Sequence, residues 1–386
     1  MKRCFAGFLL LIFSLSLFAC SSHDDADSEH KNAGKATLSA VGDIFLTDSM
    51  LADARQPDGS YSFAKQFVDV IVPLSEADIT IGNFEGNFTG MNYSAADGSY
   101  PDALASELYT IGFDLLQTAN SYSIYNGLNG LERTKSVIES SGMKALGTYV
   151  DEKDKASNQV IIREANGIRF AFIAFTKGVG GLSIPQDTQC SVDLLYKDYT
   201  SDYSEVDTSY ITGVIDAAHD ADPDVIIAAL HWGSENISEI SETQEEITSL
   251  LLNNGVDVIL GSHSHLVGEV EQRTVTMENG KKRDCVIAYS LGDFCAVDEG
   301  ECNTSIILQL EFTRNESDAV EITDISYTPV SAVDRGDAYA DRYCVVSTEA
   351  AIQLYESNYY DHLPTAVYEV MVSDLERINK KLQPET

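Results

Sequence analysis

The chain has 386 residues and a mass of 42.1 kDa, which exceeds one average domain and allows one large α/β domain with appendages. Apolar residues make up 44% of the chain and aromatic residues 9%, which excludes a disordered or fibrous protein. The chain has 25 basic and 61 acidic residues, and its net charge of −36 argues against nucleic acid or an anionic membrane surface as a partner.

The N-terminus has the pattern of a secretory signal peptide. Lys2 and Arg3 precede an apolar run over residues 5–19, which is too short for a membrane-spanning helix. The run leads into the sequence LFAC, which resembles a bacterial lipobox, in which Cys20 is lipidated and the signal peptide is removed in front of it. An ordinary signal peptide with a cysteine near its cleavage site is the alternative. Removal of residues 1–19 would leave 23 basic residues against 61 acidic ones, a net charge of −38.

Residues 20–35 contain no large apolar side chain and are predicted to form a flexible tether between a lipid and the domain. The N-terminal features together predict an extracytoplasmic protein that is lipid-anchored to a bacterial membrane. The five cysteines beyond the tether are odd in number and form no CxxC motif, which argues against a disulfide framework and against a zinc knuckle. One or two bridges outside the cytoplasm remain allowed.

From residue 36 onward, short apolar runs alternate with helical patterns, which is typical of an α/β sheet. Five of the predicted strands release polar residues at their C-terminal ends, the edge at which open α/β sheets bind ligands. These strands cover residues 36–41, before Gly42-Asp43; 77–81, before Gly82-Asn83-Phe84-Glu85; 225–230, before His231; 256–260, before Gly261-Ser262-His263-Ser264-His265; and 285–289, before Ser290-Leu291-Gly292-Asp293.

The helices between the strands have ordinary signals. Residues 62–72 place two phenylalanines and an isoleucine four residues apart, which predicts one helix with a buried face. Residues 243–246 fit a capping box, and the helix that it opens is predicted to end at Gly255. The remaining predicted elements are a strand over residues 167–176, paired strands over residues 305–312 and 319–330, and helices over residues 348–359 and 365–382.

The strand ends carry side chains that bind metals. His263 and His265 are two residues apart where a strand ends, so both imidazoles can face one side, and Gly261 lets the backbone open there. Together with carboxylates and an amide they make a mixed nitrogen and oxygen set that suits one or two divalent transition metals, Mn, Fe or Zn, better than Ca or Mg. Polar turns that contain histidines by chance are the alternative. The six predicted ligands are Asp43, Glu85, Asn120, His231, His263 and His265.

Five sequence blocks resemble the CapA-type capsule synthesis protein family: AVGD, GNFEG, HWGSE, GVDVILGSHSH and AYSLGDF, in this order. That family is associated with poly-gamma-glutamate capsule production and belongs to the calcineurin-like metallophosphoesterase superfamily. The resemblance covers residues 37–329 and implies a layered α/β/β/α sandwich, here with a small C-terminal β/α extension, and a two-metal site held by the six residues above. Four further residues are predicted to support the ligands or to contact substrate: Asn83, Tyr122, Glu235 and Asp293.

The predicted organisation follows from these features. Residues 1–19 are the signal peptide, residues 20–35 the lipidated cysteine and tether, residues 36–330 the metallophosphoesterase-type domain and residues 331–386 a helical extension. The predicted partners are the membrane, through the lipid anchor, and components of capsule synthesis or export.

Two positions depart from the family pattern. The family's third block usually reads Asn-Asn-His with an Asp three residues later, whereas this chain has Tyr122 at the His position and Tyr125 at the Asp position. A histidine there would protonate a leaving oxygen or stabilise phosphoryl charge, but a phenol titrates near pH ~10 and is a poor proton donor at neutral pH. Asp293 stands where the family more often has Asn. Hydrolysis of generic phosphoesters is therefore expected to be weak.

Three functions remain open on the sequence. The main prediction is a membrane-anchored, CapA-like protein of capsule synthesis or export whose metal site is catalytically impaired. An active metal-dependent hydrolase of phosphoester or amide bonds, and a lipoprotein that binds a solute or polymer without catalysis, are the alternatives. Direct binding of polyglutamate is opposed by the net charge, and the basic triplet Lys281-Lys282-Arg283 is better explained as a hairpin turn after Asn279-Gly280.

Overall fold

A computed structural model describes residues 34–276, 280, 282–358 and 363–382. The predicted signal peptide, Cys20 and the tether up to residue 33 lie outside this part of the chain. From Gly34 onward the chain forms one compact unit. No helix in the described ranges is both long and apolar enough to cross a bilayer.

Two β-sheets form the centre of the unit. The described strands are β1 (Lys35–Ile44), β2 (Ile79–Phe84), β3 (Asn87–Phe88), β4 (Ser99–Tyr100), β5 (Leu115–Gln117), β6 (Lys144–Leu146), β7 (Ile161–Ala165), β8 (Ile168–Thr176), β9 (Val225–His231), β10 (Val258–Ser262), β11 (Val270–Thr276), β12 (Lys282–Ala288), β13 (Cys302–Arg314), β14 (Val320–Asp334) and β15 (Tyr343–Ser347). The first sheet has the order β15-β14-β13-β1-β2-β5-β6, and the second has the order β11-β12-β10-β9-β8-β7. The five predicted strands with polar ends are β1, β2, β9, β10 and β12.

The helices connect the strands. The described α-helices are α1 (Asp48–Ala54), α2 (Ala64–Phe67), α3 (Ile71–Ser75), α4 (Ala103–Thr110), α5 (Gly127–Ser140), α6 (Glu152–Asn158), α7 (Thr208–Asp220), α8 (Glu242–Asn253), α9 (Thr348–Glu356) and α10 (Thr365–Leu382). Two 3₁₀-helices cover Val68–Val70 and Gln186–Ser191. The helix predicted over residues 348–359 is α9, and Tyr359 lies outside the described residues.

Both sheets have a parallel centre and antiparallel additions. In the first sheet, β1, β2, β5 and β6 run parallel, and β13, β14 and β15 extend the sheet beyond β1, each antiparallel to the strand before it in the sheet. In the second sheet, β8, β9, β10 and β12 run parallel, and the edge strands β7 and β11 are antiparallel. The four parallel strands of each sheet have their C-terminal ends at one edge of that sheet, so the residues that follow these strands can lie close together.

The two sheets pack face to face, and helices cover their outer faces. Alternate residues of β1 and β8, such as Leu38 and Phe172, share one buried apolar cluster between the sheets. A second cluster, which includes Phe67 and Phe294, lies between the first sheet and helices α1 to α4. A third cluster joins the second sheet to α7 and α8, with Leu251 as a member. The layers therefore form the predicted α/β/β/α sandwich.

The C-terminal segment adds a strand as well as helices. β14 continues through the predicted boundary between residues 330 and 331, and β15 joins the same sheet beside it. Helices α9 and α10 pack on this end of the sheet through a small apolar cluster that includes Val346 and Met371. The strands β13 and β14 are the pair predicted over residues 305–312 and 319–330, and they are antiparallel.

The five cysteines beyond the tether are free thiols. Cys302 lies opposite Val333 in β14, and Val333 lies opposite Cys344 in β15. The two cysteines are thus separated by two strand spacings, about 9.5 Å, which is too far for a disulfide.

The continuous helix predicted over residues 62–72 is wrong. The segment instead contains α2, the 3₁₀-helix Val68–Val70 and α3. In one continuous helix Pro73 would leave the carbonyl of Asp69 without its N–H partner and its ring would crowd that carbonyl, so the helix is interrupted before α3, which has Pro73 in its first turn. The predicted burial of the phenylalanines is nevertheless confirmed, since Phe63 and Phe67 are fully buried.

The capping box of α8 begins two residues earlier than predicted. Ser241 is the N-cap, its hydroxyl accepts from the backbone N–H of Gln244, and the Gln244 side chain accepts from the backbone N–H of Ser241. Both Ser241 and Thr243 are followed three residues later by Gln or Glu, so the motif alone fits either start.

Removal of this cap gives a stability prediction. Ser241→Ala is expected to lower the free energy of unfolding by about 1 kcal/mol, because an N-terminal amide of α8 loses its partner. Urea denaturation of both proteins measures the change. Ser136→Ala, at an exposed position inside α5, is the matched control and is expected to leave stability unchanged or slightly raised. A loss in the control as large as in Ser241→Ala would contradict the capping argument.

Candidate metal centre

The C-terminal ends of β1, β2, β9 and β10 meet at one edge of the two sheets. Polar side chains from these ends, and from the loop after β12, form two groups whose ligand atoms lie within 4.8 Å of one another in each group. The first group is Glu85, His231 and His263, and the second group is Asp43, His265 and Asp293. Each group combines residues from both sheets. Five of the six predicted ligands are therefore brought together, and Asp293 joins them.

A close backbone contact brings Asp43 and Asp293 together. The backbone N–H of Asp43 donates to the carbonyl oxygen of Gly292 at 2.9 Å, and the N–H of Phe294 donates to the carbonyl of Asp43 at 2.8 Å. A Cβ atom on Gly42 would lie 1.9 Å from that Gly292 oxygen. Glycine is required at position 42 because any side chain would push the two segments apart.

The loop after β10 holds both of its histidines in an unusual backbone conformation. His263 has a φ of 95° and His265 a φ of 61°, in the region that favours glycine. Each such residue costs on the order of 1–3 kcal/mol and persists where its surroundings hold it, often at functional sites. Gly261 is needed for a reason other than the one predicted: a Cβ there would lie 2.1 Å from the carbonyl oxygen of Tyr289, so the residue permits a close approach.

In the second group, His265 contacts both carboxylates. Its Nδ1 lies 2.7 Å from Asp293 Oδ1 and 3.8 Å from Asp43 Oδ2. The other oxygen of Asp293 accepts from the side-chain amide of Asn303 at 2.9 Å. Burial opposes the charged imidazole, but the hydrogen bond and charge of Asp293, with Asp43, raise the pKa of His265 to about 10. His265 thus supplies positive charge to the second group.

The first group is centred on an amide that was predicted only to support it. Asn83 Nδ2 lies 2.6 Å from Asp43 Oδ1, 3.1 Å from Glu85 Oε1 and 3.4 Å from His231 Nδ1. His231 Nδ1 is itself 3.1 Å from Glu85 Oε1, and the His231 and His263 rings are 4.3 Å apart between centroids. The amide nitrogen of Asn83 marks the point on which ligand atoms of both groups converge.

The electrostatics of the site fit a divalent cation. Burial, with the charge of Asp293, raises the pKa of Asp43 to about 6, and burial, with the charge of Asp43, raises the pKa of Glu85 well above its usual range. Burial also lowers the pKa of His263 to about 3 and holds that of His231 well below its ordinary value. The imidazoles of His231 and His263 are therefore neutral, with lone pairs available, and the first group contains a buried carboxylate, Glu85, but no cationic side chain. A transition metal with nitrogen and oxygen ligands would provide the positive charge.

Asn120, the sixth predicted ligand, is fully buried beside the two groups. Its Nδ2 donates to Asn83 Oδ1 at 3.0 Å and to the carbonyl of Phe84 at 2.7 Å, while its Oδ1 accepts from the backbone N–H of Tyr122 at 3.0 Å. In this arrangement Asn120 orients Asn83. A ligand role for Asn120 stays a prediction.

Tyr122 and Tyr125 line a cleft of about 370 Å³ that opens from the two groups. Their rings are 5.3 Å apart between centroids, and Tyr125 is 45% exposed. Burial, and then the charge of Glu85, raise the pKa of Tyr122, so its hydroxyl is a hydrogen-bond donor but a poor proton shuttle at neutral pH. Glu235 is exposed at the rim of the same cleft, where substrate would enter.

Sequence reasoning missed three residues of this region. Ser121 Oγ lies 3.1 Å from His231 Nε2, Asn303 holds Asp293, and Lys177 lines a cavity that adjoins the cleft. Lys177 directly follows β8, so the rule that found the other strand ends would also have found it. Asn303 lies inside β13, where no local signal distinguishes it from a structural residue.

The model of the family "Bacterial capsule synthesis protein PGA_cap" matches residues 37–297, about two thirds of the chain. The chain belongs to this family. Membership in the PGA_cap family confirms the resemblance drawn from the five sequence blocks, and the matched range contains every candidate ligand of the two groups.

Two curated relatives are similar over most of the chain. The PGA biosynthesis protein CapA of Bacillus subtilis (strain 168) is 26% identical over 297 residues, which cover 75% of this chain and 71% of that protein. The capsule biosynthesis protein CapA of Bacillus anthracis is 24% identical over 337 residues, with 81% and 74% covered. Among solved structures, the calcineurin-like phosphoesterase YfkN from Bacillus subtilis is similar with a TM-score of 0.42 and 12% identity, covering 76% of this chain and 90% of that one.

Proposed function

We propose that this protein binds one or two divalent transition metals, Mn, Fe or Zn, and serves capsule synthesis or export of the poly-gamma-glutamate type at the cell surface. The observation that carries the proposal is the convergence of the two groups at one sheet edge, each with ligand atoms within 4.8 Å. Imidazole nitrogens together with buried carboxylates suit transition metals better than Ca or Mg, which favour oxygen ligands throughout.

The residues of the cleft determine what such a centre can do. Bound divalent metals supply Lewis-acid activation of a phosphoryl or carbonyl group. Tyr122 can donate a hydrogen bond to a leaving oxygen but transfers its proton poorly, and Asn83 and Asn120 orient the ligands. Weak hydrolysis with retained metal binding follows from this combination.

A more active hydrolase of phosphoester or amide bonds is the second candidate. The feature that favours it is the open cleft of about 370 Å³ beside both groups, which has room for a substrate. A centre that served only to stabilise the fold would need no such opening. The two candidate functions share the metal centre and differ in whether Tyr122, as a poor proton donor, makes hydrolysis weak.

The surface location rests on the N-terminal sequence. The signal peptide, the lipidated Cys20 and the tether would place the domain outside the cytoplasm, where capsule polymers are assembled or exported. A chain with a charge of −38 after cleavage repels a polyanion, so contact with polyglutamate requires bound cations or a local positive group. Arg283 is not that group, because its guanidinium pairs with Asp257 at 2.9 Å.

Elemental analysis of the purified full-length protein tests the metal centre. We expect one to two equivalents of Mn, Fe or Zn in the wild type, and loss of most of it in the double variant His263→Ala/His265→Ala, which removes one ligand from each group. His219→Ala, an exposed histidine at the end of α7, is the matched control and is expected to retain wild-type metal content.

Two results would contradict the proposal. One is a wild-type protein that binds none of these metals even after incubation with them and removal of the excess. The other is a double variant whose metal content equals that of the wild type and of His219→Ala.

A further inference from the structure

Lys177 lies beside the candidate metal centre and is held in one position. It directly follows β8, and its backbone N–H donates to the carbonyl oxygen of His231 at 2.8 Å. Its ammonium donates to the carbonyl of Gly233 at 2.6 Å and lies 4.5 Å from the centroid of the Tyr203 ring. The ammonium is therefore fixed by a hydrogen bond to Gly233 and by a cation–π contact with the Tyr203 ring.

The cavity that Lys177 lines adjoins the cleft of the metal centre. This second cavity has about 440 Å³, and four residues line both spaces: Ser121, Gly180, Glu235 and His263. Gly180 has a φ of 65°, and a Cβ there would lie 2.8 Å from the carbonyl oxygen of Ser121, so the glycine permits the loop after β8 to approach Ser121 closely. A ligand longer than one chemical group can thus reach from His263 to Lys177.

The ammonium of Lys177 is available to a ligand. Among the residues that the structure describes, no carboxylate oxygen lies within 4.0 Å of its Nζ, and it is the one lysine or arginine that lines either space. Gly233 takes one of its three N–H donors, which leaves two. Glu235 is near enough to favour the charged form, but burial outweighs it and lowers the pKa of Lys177, so an anion at this position would gain a charge-assisted contact.

We infer that Lys177 binds an anionic group, carboxylate or phosphate, of a substrate whose neighbouring group lies at the metal centre. This inference rests on the proposed function and adds the substrate class: a molecule with anionic groups spaced along its length. Lys177 then determines specificity, because a neutral analogue would leave the half-buried ammonium without a partner. It also supplies the local positive group that an otherwise strongly acidic chain needs in order to hold a polyanion.

Titration calorimetry tests the inference with three probes: a γ-linked glutamate trimer, the same trimer with its carboxylates converted to carboxamides, and a glycerol phosphate trimer. The full-length protein and its variants are compared at equal metal content, so that direct contact of a probe with metal contributes equally. Loss of a charge-assisted contact to a half-buried group corresponds to at least a tenfold loss of affinity, about what such hydrogen bonds contribute.

We expect wild type to bind at least one anionic trimer more tightly than the carboxamide trimer, and Lys177→Met to bind that anionic trimer about tenfold more weakly. Binding of the carboxamide trimer should not change. Lys177→Arg, which keeps the charge, should restore binding of the anionic trimer. Lys153→Met, an exposed lysine on α6, is the matched control and should behave as wild type. The preferred anionic trimer identifies the group as carboxylate or phosphate.

Lys177→Gln keeps a hydrogen-bond donor near Gly233 and replaces Lys177→Met if that variant does not fold. The inference is overturned if the charge-neutral variant binds the anionic trimers as tightly as wild type, or if wild type does not prefer either of them over the carboxamide. Metal analysis of the same samples separates the two proposals. A metal-free wild type contradicts the proposed function, whereas anion binding that is independent of Lys177 contradicts only this inference.

Discussion

Tyr122→His is expected to raise the hydrolysis of a phosphoester with a poor leaving group by about 100-fold, the lower end of what a general acid contributes. Tyr122 lines the cleft beside Glu85, and burial raises the pKa of its phenol, so the wild-type side chain delivers a proton poorly at neutral pH. An imidazole in the same position titrates near neutrality. The values of kcat/KM for phenyl phosphate and for p-nitrophenyl phosphate, measured with the metal-loaded protein, give the effect.

The comparison of the two substrates isolates proton transfer. The gain should be larger for phenyl phosphate, because its leaving oxygen is more basic and needs a proton more. Tyr109→His, at an exposed position of α4, controls for the introduction of a histidine and should leave both rates unchanged. Robust wild-type turnover of phenyl phosphate that Tyr122→His does not raise would refute the argument that Tyr122 limits catalysis.

Metal is expected to stabilise the folded wild type by about 2.7 kcal/mol when its free concentration is a hundred times the dissociation constant. In the Glu85→Gln variant this stabilisation should be largely lost, because a ligand of the first group is neutral. The metal-free variant should at the same time be more stable than the metal-free wild type, since a buried carboxyl beside Asp43 has been removed. Metal thus reverses the order of stability of the two proteins.

Chemical denaturation with a chelator, and again with Mn or Zn, measures this reversal. Glu132→Gln, an exposed acid on α5, is the matched control and should follow wild type under both conditions. The ligand role of Glu85 is wrong if metal stabilises Glu85→Gln as much as wild type. An unchanged wild-type denaturation curve on addition of metal would contradict the metal centre itself.

The layers of the fold and most of the candidate site could be predicted from sequence because their signals are local. An apolar run followed by Gly-Asp or by His indicates a buried strand and also identifies the polar residues at its C-terminal end. The C-terminal ends of parallel strands lie at one edge of a sheet, so these polar residues are expected to be neighbours. Asp43, Glu85, His231, His263 and His265 were all found in this way.

The arrangement within the site could not be predicted, because it depends on contacts between distant segments. The pairing of His265 with Asp293, and not with His263, follows from the approach of Gly42 to Gly292. The central position of Asn83 follows from its distances to residues of three other segments. The break in the helix near Pro73 does have a local signal, the amide hydrogen that proline lacks, whereas the four-residue spacing of the apolar side chains alone predicts a continuous helix.

Each of the two groups takes ligands from both sheets, since Asp43 and Glu85 belong to the first sheet and His231, His263 and His265 to the second. An ion held by either group would therefore cross-link the sheets at the edge where their packing is polar and not apolar. Without it, this edge is where the sandwich opens at least cost, and amide exchange and proteolytic cleavage would begin there. The lifetime of the folded protein would then depend on the supply of metal.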